Sequence, residues 1–141
     1  MTYRDPAYLG NGQTERRSIR DSSEWLDKLA DNVTLEGSAI RGLLEGIETV
    51  KAIVAGFREL EAFQEVNYAG PCAHNCHLED YVTEIQAQPT GVVTMTYNDD
   101  AEEVQHVIIN HRPRSSVVLV SDLLHQKLAG SSLAAHFGTG F

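Results

Sequence analysis

Nowhere in the 141 residues does an apolar run approach the roughly 18 residues that a membrane-spanning helix needs, and the opening segment has no apolar core of a secretory signal. The expectation is a cytoplasmic protein. Basic residues are also few: 11 Lys and Arg stand against 20 Asp and Glu, leaving a net charge of -9. That balance argues against nucleic acid or a membrane surface as partner, because both are held by basic patches that neutralise phosphates. Arg16, Arg17 and Arg20 are a local exception, and a solvated charge cluster is the simpler account of them. No repeat and no low-complexity run interrupts the chain. Gly37, Gly42 and Gly46 lack the lysine and spacing of a phosphate-binding loop, and no nucleophile elbow is present.

Cysteine is nearly absent. Cys72 and Cys76 fall in the segment Pro-Cys-Ala-His-Asn-Cys-His, which brings His74 and His77 alongside. The spacing invites a metal or a disulfide, but a structural zinc needs four placed ligands and no second ligand pair occurs elsewhere. Two free cysteines in a loop, with no metal and no cofactor, are the expectation.

What is present is ordinary globular composition, 42% apolar and 22% charged, in a length suited to one domain. Residues 1–20, with Pro6, Gly10 and Gly12, read as an irregular arm. Asp21 followed by Glu24 resembles a helix-capping arrangement, and Trp25, Leu26 and Leu29 continue as the apolar face of a short helix ending near Asp31. A brief strand, 33–37, stops at Gly37. Ile47, Val50, Ile53, Val54, Phe57 and Leu60 then recur at helical spacing, with Glu48, Lys51, Arg58 and Glu59 on the opposite face. Beyond Glu61 the period becomes two, predicting strands near 63–69, 79–88, 91–98, 103–112 and 116–125. Turns are expected at 88–91, 98–100 and 111–115. The main domain runs over 21–127, and 128–141 is a tail with Phe137 and Phe141 as possible anchors. The last strand pair is almost continuously apolar and calls for cover on both faces, so a homodimer through the sheet is expected.

This order of helix, short strand, amphipathic helix and antiparallel meander resembles the nuclear transport factor 2-like superfamily, and within it SnoaL-like cyclases, ketosteroid isomerases and limonene-epoxide hydrolases. The residues that carry the likeness are Leu29-Ala-Asp-Asn-Val-Thr-Leu-Glu-Gly37, Gly46-Ile-Glu-Thr-Val50 and Ser121-Asp-Leu-Leu124. The resemblance implies an α+β, cystatin-like cone, with N-terminal helices packed on a curved, mostly antiparallel sheet around a pocket. It also exposes departures. Gly37 stands where the isomerases carry a general-base aspartate, and Gln105 where they carry an acidic hydrogen-bond donor. The epoxide-hydrolase pattern continues an arginine and an aspartate beyond Thr83-Glu84, and this chain has Ile85, Gln86 and Ala87. Asp122 matches the second aspartate of that machinery.

Asp122 is thus the candidate acid/base, with Gln105 as polar orienter. In strand register Asp122 would accompany Val118, Val120 and Leu124, and desolvation would make its carboxyl a usable proton carrier. The alternative is a carboxylate paired with Arg112 or Lys127 at the rim. Alternation puts Tyr81, Thr83 and Ile85 on the inward face of their strand, and Trp25, Phe57, Val107 and Val120 complete the expected wall. Glu36 and Ser38 sit near the strand end, where relatives place polar pocket residues. Two functions follow as expectations. One is proton-transfer catalysis of cyclase, isomerase or hydrolase type on a polyketide- or terpenoid-like small apolar molecule. The other is a non-catalytic binding or dimeric assembly domain whose pocket is closed.

Overall fold

The computed structural model describes residues 15–16 and 24–138. Four long strands, β4 (Glu65–Ala73), β5 (Cys76–Ile85), β6 (Gln88–Asn98) and β7 (Val104–Arg112), form an antiparallel meander. Strand β2 (Leu29–Gly37) lies parallel to β7, and the two-residue strands β1 (Glu15–Arg16) and β3 (Leu44–Glu45) close the edges. The sheet is therefore mixed, with order β1-β4-β5-β6-β7-β2-β3. Period-two alternation gives it two faces: Tyr81, Ile85, Val92, Val107 and Ile109 are buried on the inner one, while Leu78, Val93, Met95 and Ile108 are half-buried on the outer.

Helix α1 (Ile47–Leu60) lays Val50, Ile53, Val54 and Phe57 on the inner face, at the spacing its sequence predicts. Helix α2 (Arg114–Lys127) follows β7 through Pro113 and covers the same face with Val120 and Leu124. β2 adds Leu29, Val33 and Leu35, and two 3-10 turns add more: Glu24–Asp27 carries Trp25, and Phe137 follows Ser132–His136. Gly37 is needed where β2 meets β7, since a Cβ there would come within 1.8 Å of the Ile109 carbonyl oxygen. Among the described residues no helix is long and apolar enough to cross a membrane.

Several expectations are corrected. The strand expected at 116–125 is α2. Its buried stripe is Ser116, Val120, Ser121 and Leu124, so two serines interrupt the apolar period that would have revealed a helix. Both are satisfied in the interior: Ser121 Oγ donates to the Ala39 carbonyl at 2.9 Å, and Ser116 Oγ lies 2.8 Å from Thr90 Oγ1. The helix over 21–31 reduces to the 3-10 turn, because β2 already begins at Leu29; Asp21 lies outside the described residues. Hence the second long helix is not N-terminal.

The hairpin turn expected at 88–91 sits instead at Gln86 and Ala87, both with positive φ, as a two-residue hairpin requires. The cysteines are not free: Cys72 and Cys76 form a disulfide across the β4–β5 hairpin. Of the N-terminal arm, Glu15–Arg16 pairs with β4; Arg17 and Arg20, like Phe141 in the tail, lie outside the described residues.

Candidate functional site

Cross-strand register stacks the inner face in rows. Tyr81, Val92 and His111 form one, Glu79, Thr94 and Ile109 the next, and His77, Thr96 and Val107 the third. Helix α1 crosses the first two rows and encloses a void of about 10 Å³, room for roughly one water, between Trp25, Val54, Phe57 and Val92 on the apolar side and Arg58, Glu61, Tyr81 and Thr94 on the polar side. Glu61 caps α1, and the linker beyond it is tied to β5 by Ala62 N–H donating to the Glu84 carbonyl at 3.0 Å. That tie turns the Glu61 carboxylate inward.

The Tyr81 hydroxyl donates to Glu61 Oε2 at 2.7 Å, and Gln64 Nε2 donates to Oε1 at 2.9 Å. Arg58 Nη2 lies 3.9 Å from Glu79 Oε1. All five side chains are buried, so this is a polar cluster with two carboxylates to one guanidinium inside an otherwise apolar core. Burial first, and then the Glu61 carboxylate, raises the Tyr81 phenol well above its usual 10. Tyr81 is therefore a neutral phenol at physiological pH that donates to Glu61 without giving up its proton.

At the third row the face is open. A pocket of about 180 Å³ is lined by Glu24, Trp25, Lys28, His77, Thr96, Asn98 and Val104. Behind its wall three side-chain atoms, Trp25 Nε1, Thr96 Oγ1 and Asn98 Oδ1, are shut off from solvent and have no hydrogen-bond partner among the described residues. Folded proteins satisfy nearly all such groups, and leaving one unmet costs about 1–3 kcal/mol. Burial lowers the His77 imidazole below its usual 6.5, so it stands neutral in this wall. The Trp25 ring separates the pocket from the inner void and lines both.

The residues expected from sequence are only partly brought together. Trp25, Phe57 and Tyr81 meet around the inner void; Thr83, Ile85, Val107 and Val120 are buried core. Glu36 and Ser38 lie away from both spaces and together line a third, shallower one of about 490 Å³ with Ile40, Leu43, Ile108 and Asn110. Glu36 is exposed with Oε2 2.9 Å from His106 Nε2, and Ser38 Oγ accepts from the His111 N–H at 2.8 Å. Gln105 reaches the β6–β7 turn, donating to Asp99 Oδ2 at 2.8 Å.

Asp122 sits half-buried on α2, one turn from exposed Val118, while Val120 and Leu124 turn inward. The strand register that set all four on one face does not exist. Sequence reasoning missed Arg58, Glu61, Glu79, Thr96 and Asn98. The period-two pattern could have found Glu79, Thr94 and Thr96, which continue the inward parity of Tyr81 and Val92. Nothing local marks Arg58 or Glu61.

No protein-family model matches the chain, and no curated protein matches it by sequence. Solved structures do. A steroid delta-isomerase from Pseudomonas aeruginosa superimposes with a TM-score of 0.69 at 13% identity, over 79% of this chain and 82% of that one. An uncharacterised bacterial protein with a cystatin-like fold from Silicibacter pomeroyi DSS-3 gives 0.68 at 13% identity, over 77% and 76%. A nuclear transport factor 2-like protein of unknown function from Burkholderia xenovorans LB400 gives 0.51 at 16% identity, over 65% and 70%. At these identities the likeness is one of fold, and the fold is the cystatin-like, nuclear transport factor 2-like α+β architecture that the order of elements resembles.

Proposed function

We propose that the protein binds a small molecule at the open end of the inner sheet face, in the pocket walled by Trp25, His77, Thr96 and Asn98. The observation that carries this reading is one 180 Å³ space on the inner sheet face with a mixed wall, Trp25 and Val104 beside His77, Thr96, Asn98, Glu24 and Lys28. A cleft with apolar walls and a few polar groups is the usual form of a small-molecule site. The test uses Trp25, the single tryptophan of the chain. Small carbonyl and hydroxyl compounds are titrated while its fluorescence is followed, with Thr96→Val as control. A compound that shifts the emission and binds about fivefold more weakly to the variant supports the reading; an emission unmoved by every compound sinks it.

A second reading has its own observation, the buried Glu61–Tyr81 hydrogen bond beneath the same indole. It is proton transfer of isomerase type on an apolar molecule bearing a carbonyl, a class consistent with the isomerase among the structures of similar fold. The void there holds about one water, so this chemistry requires Trp25 to move aside. The role expected of Asp122 passes to Glu61 in this reading. Glu61→Gln should lower the rate of α-proton exchange in a bound ketone by about 10²–10⁴-fold; unchanged exchange removes the reading.

Homodimerisation through the outer sheet face fits the row Leu78, Met95 and Ile108, which runs side by side over three strands. Sedimentation of wild type and Met95→Glu tests it, a dimer converted to monomer being the expected result.

A further inference from the structure

Cys72 and Cys76, at the tip of the β4–β5 hairpin, line none of the spaces described above. Their disulfide joins residues only 4 apart in sequence. A bond across so short a loop removes little freedom from the unfolded chain, because the entropic gain rises with loop length. The hairpin does not depend on it for closure. Ala73 pairs with Cys76 and Pro71 with His77, the Tyr68 hydroxyl donates to the Pro71 carbonyl at 2.6 Å, and the Asn98 N–H donates to the Asn75 carbonyl at 2.9 Å. Cys76 is buried but stands outside the main apolar cluster. What the backbone does supply is access to one sulfur. The register shifts between Pro71 and Ala73, so Cys72 has no partner in the ladder. A regular ladder would set Cys72 opposite His77, on the inner face, whereas Cys76 pairs with Tyr97 on the outer one. The bulge frees Cys72 from that register to meet Cys76, and leaves it exposed while Cys76 is only 7% exposed.

We infer that the Cys72–Cys76 pair is a redox centre that exchanges with small thiols, and not a staple of the fold. Exposed disulfides are the labile ones. Charge also favours approach: in a chain of net charge -9, no Asp or Glu occurs between Glu65 and Glu79, so an incoming thiolate meets no carboxylate within the tip of the hairpin. The thiolate attacks Cys72 Sγ. A mixed disulfide forms there as the bond to Cys76 breaks, and Cys76 leaves as a thiolate that takes up the proton the incoming thiol gave up. A second thiolate attacks the sulfur of the bound thiol, forming the small disulfide and releasing Cys72, which is protonated in turn. The protein disulfide is reduced by two electrons while two thiols are oxidised to one disulfide, and the reverse exchange closes the pair again.

Reduced glutathione is the probe. The intact protein is incubated with an excess of it in native buffer, quenched with iodoacetamide and its mass measured, while urea unfolding of the same sample is followed in parallel. The expected result is two alkylated cysteines on a protein that still unfolds cooperatively. A bond that opens only after urea has unfolded the chain overturns the inference. So does a reduced protein without a cooperative transition, since the disulfide would then be a staple. The variants Cys76→Ser and Cys72→Ser test the order of attack, each leaving one thiol to react with a chromogenic aromatic disulfide. The exposed Cys72 thiol should react about tenfold faster than the buried Cys76 thiol; equal rates overturn the assignment of Cys72 as the attacked sulfur. The wild-type series needs neither variant, so it decides the matter even if one of them fails to fold.

Discussion

His111 gives the sharpest physical test of the interior. It sits at the end of the inner row with Tyr81 and Val92, its ring centroid 4.9 Å from that of Phe57, and neither ring nitrogen has a hydrogen-bond partner among the described residues. Burial pushes its pKa from the usual 6.5 down to about 4. The unfolded chain binds the proton near 6.5, while the folded chain resists it until about 4. The stability contributed is therefore full above pH 6.5, falls as pH drops from 6.5 towards 4, and is gone below that. The gap of about 2.5 pKa units corresponds to about 3 kcal/mol over the whole window, of which about 2 kcal/mol is lost by pH 5.

Urea unfolding of wild type and His111→Phe, followed from pH 8 to 5, measures it. The phenylalanine is close in size and removes two unmet nitrogens, so near pH 8 the variant should match or slightly exceed wild type. At pH 5 it should lead by about 2 kcal/mol. His77 titrates in both proteins and cancels in the difference. Asp99, whose carboxyl is held below its usual 3.8 by the Glu103 N–H, acts below the window. Identical pH slopes for the two proteins would refute the burial argument.

Other consequences follow from the same packing. Gly37→Ala should destabilise by several kcal/mol, because its Cβ would collide with the Ile109 backbone, which cannot move aside within the sheet; thermal melting reads it. Phe137→Ala should cost about 3–5 kcal/mol in chemical unfolding, since that ring is fully buried and packs edge-on against Phe57 at 6.2 Å. A double-mutant cycle of Tyr81→Phe and Glu61→Leu should return a coupling of about 1.5–3 kcal/mol, the range for a hydrogen bond to a charged group; additive effects would mean the 2.7 Å bond contributes nothing.

How much of this was legible in the sequence depends on whether a residue's partner lies nearby along the chain. Helix α1 and the strands of the meander follow from local apolar periods, and Tyr81, Thr83 and Ile85 were read as inward from alternation alone. Helix α2 was not, although its length and its start after Pro113 suit a helix. Its inward positions Ser116 and Ser121 look polar until Thr90 and Ala39, both distant in sequence, supply their partners. The polar cluster fails for the same reason in stronger form. Arg58 stands between Phe57 and Glu59 and reads as the solvent face of α1; Glu79, far away in sequence on β5, is a partner that helps make its burial tolerable.

A carboxylate in a core is legible once the groups that hold it are known, and each here has one on another element: Tyr81 on β5 for Glu61, beside the nearby Gln64, and Arg58 on α1 for Glu79. Asp122 illustrates the converse. As a strand residue it would be a carboxylate among apolar neighbours, and the helix dissolves that neighbourhood by turning Val120 and Leu124 away from it. The inner face holds instead Glu61, which no local pattern reveals, and Glu79, which strand parity does. Searching the inward parity of each strand for polar residues, Glu79, Thr94 and Thr96 on β5 and β6, is the step that reaches the site from sequence.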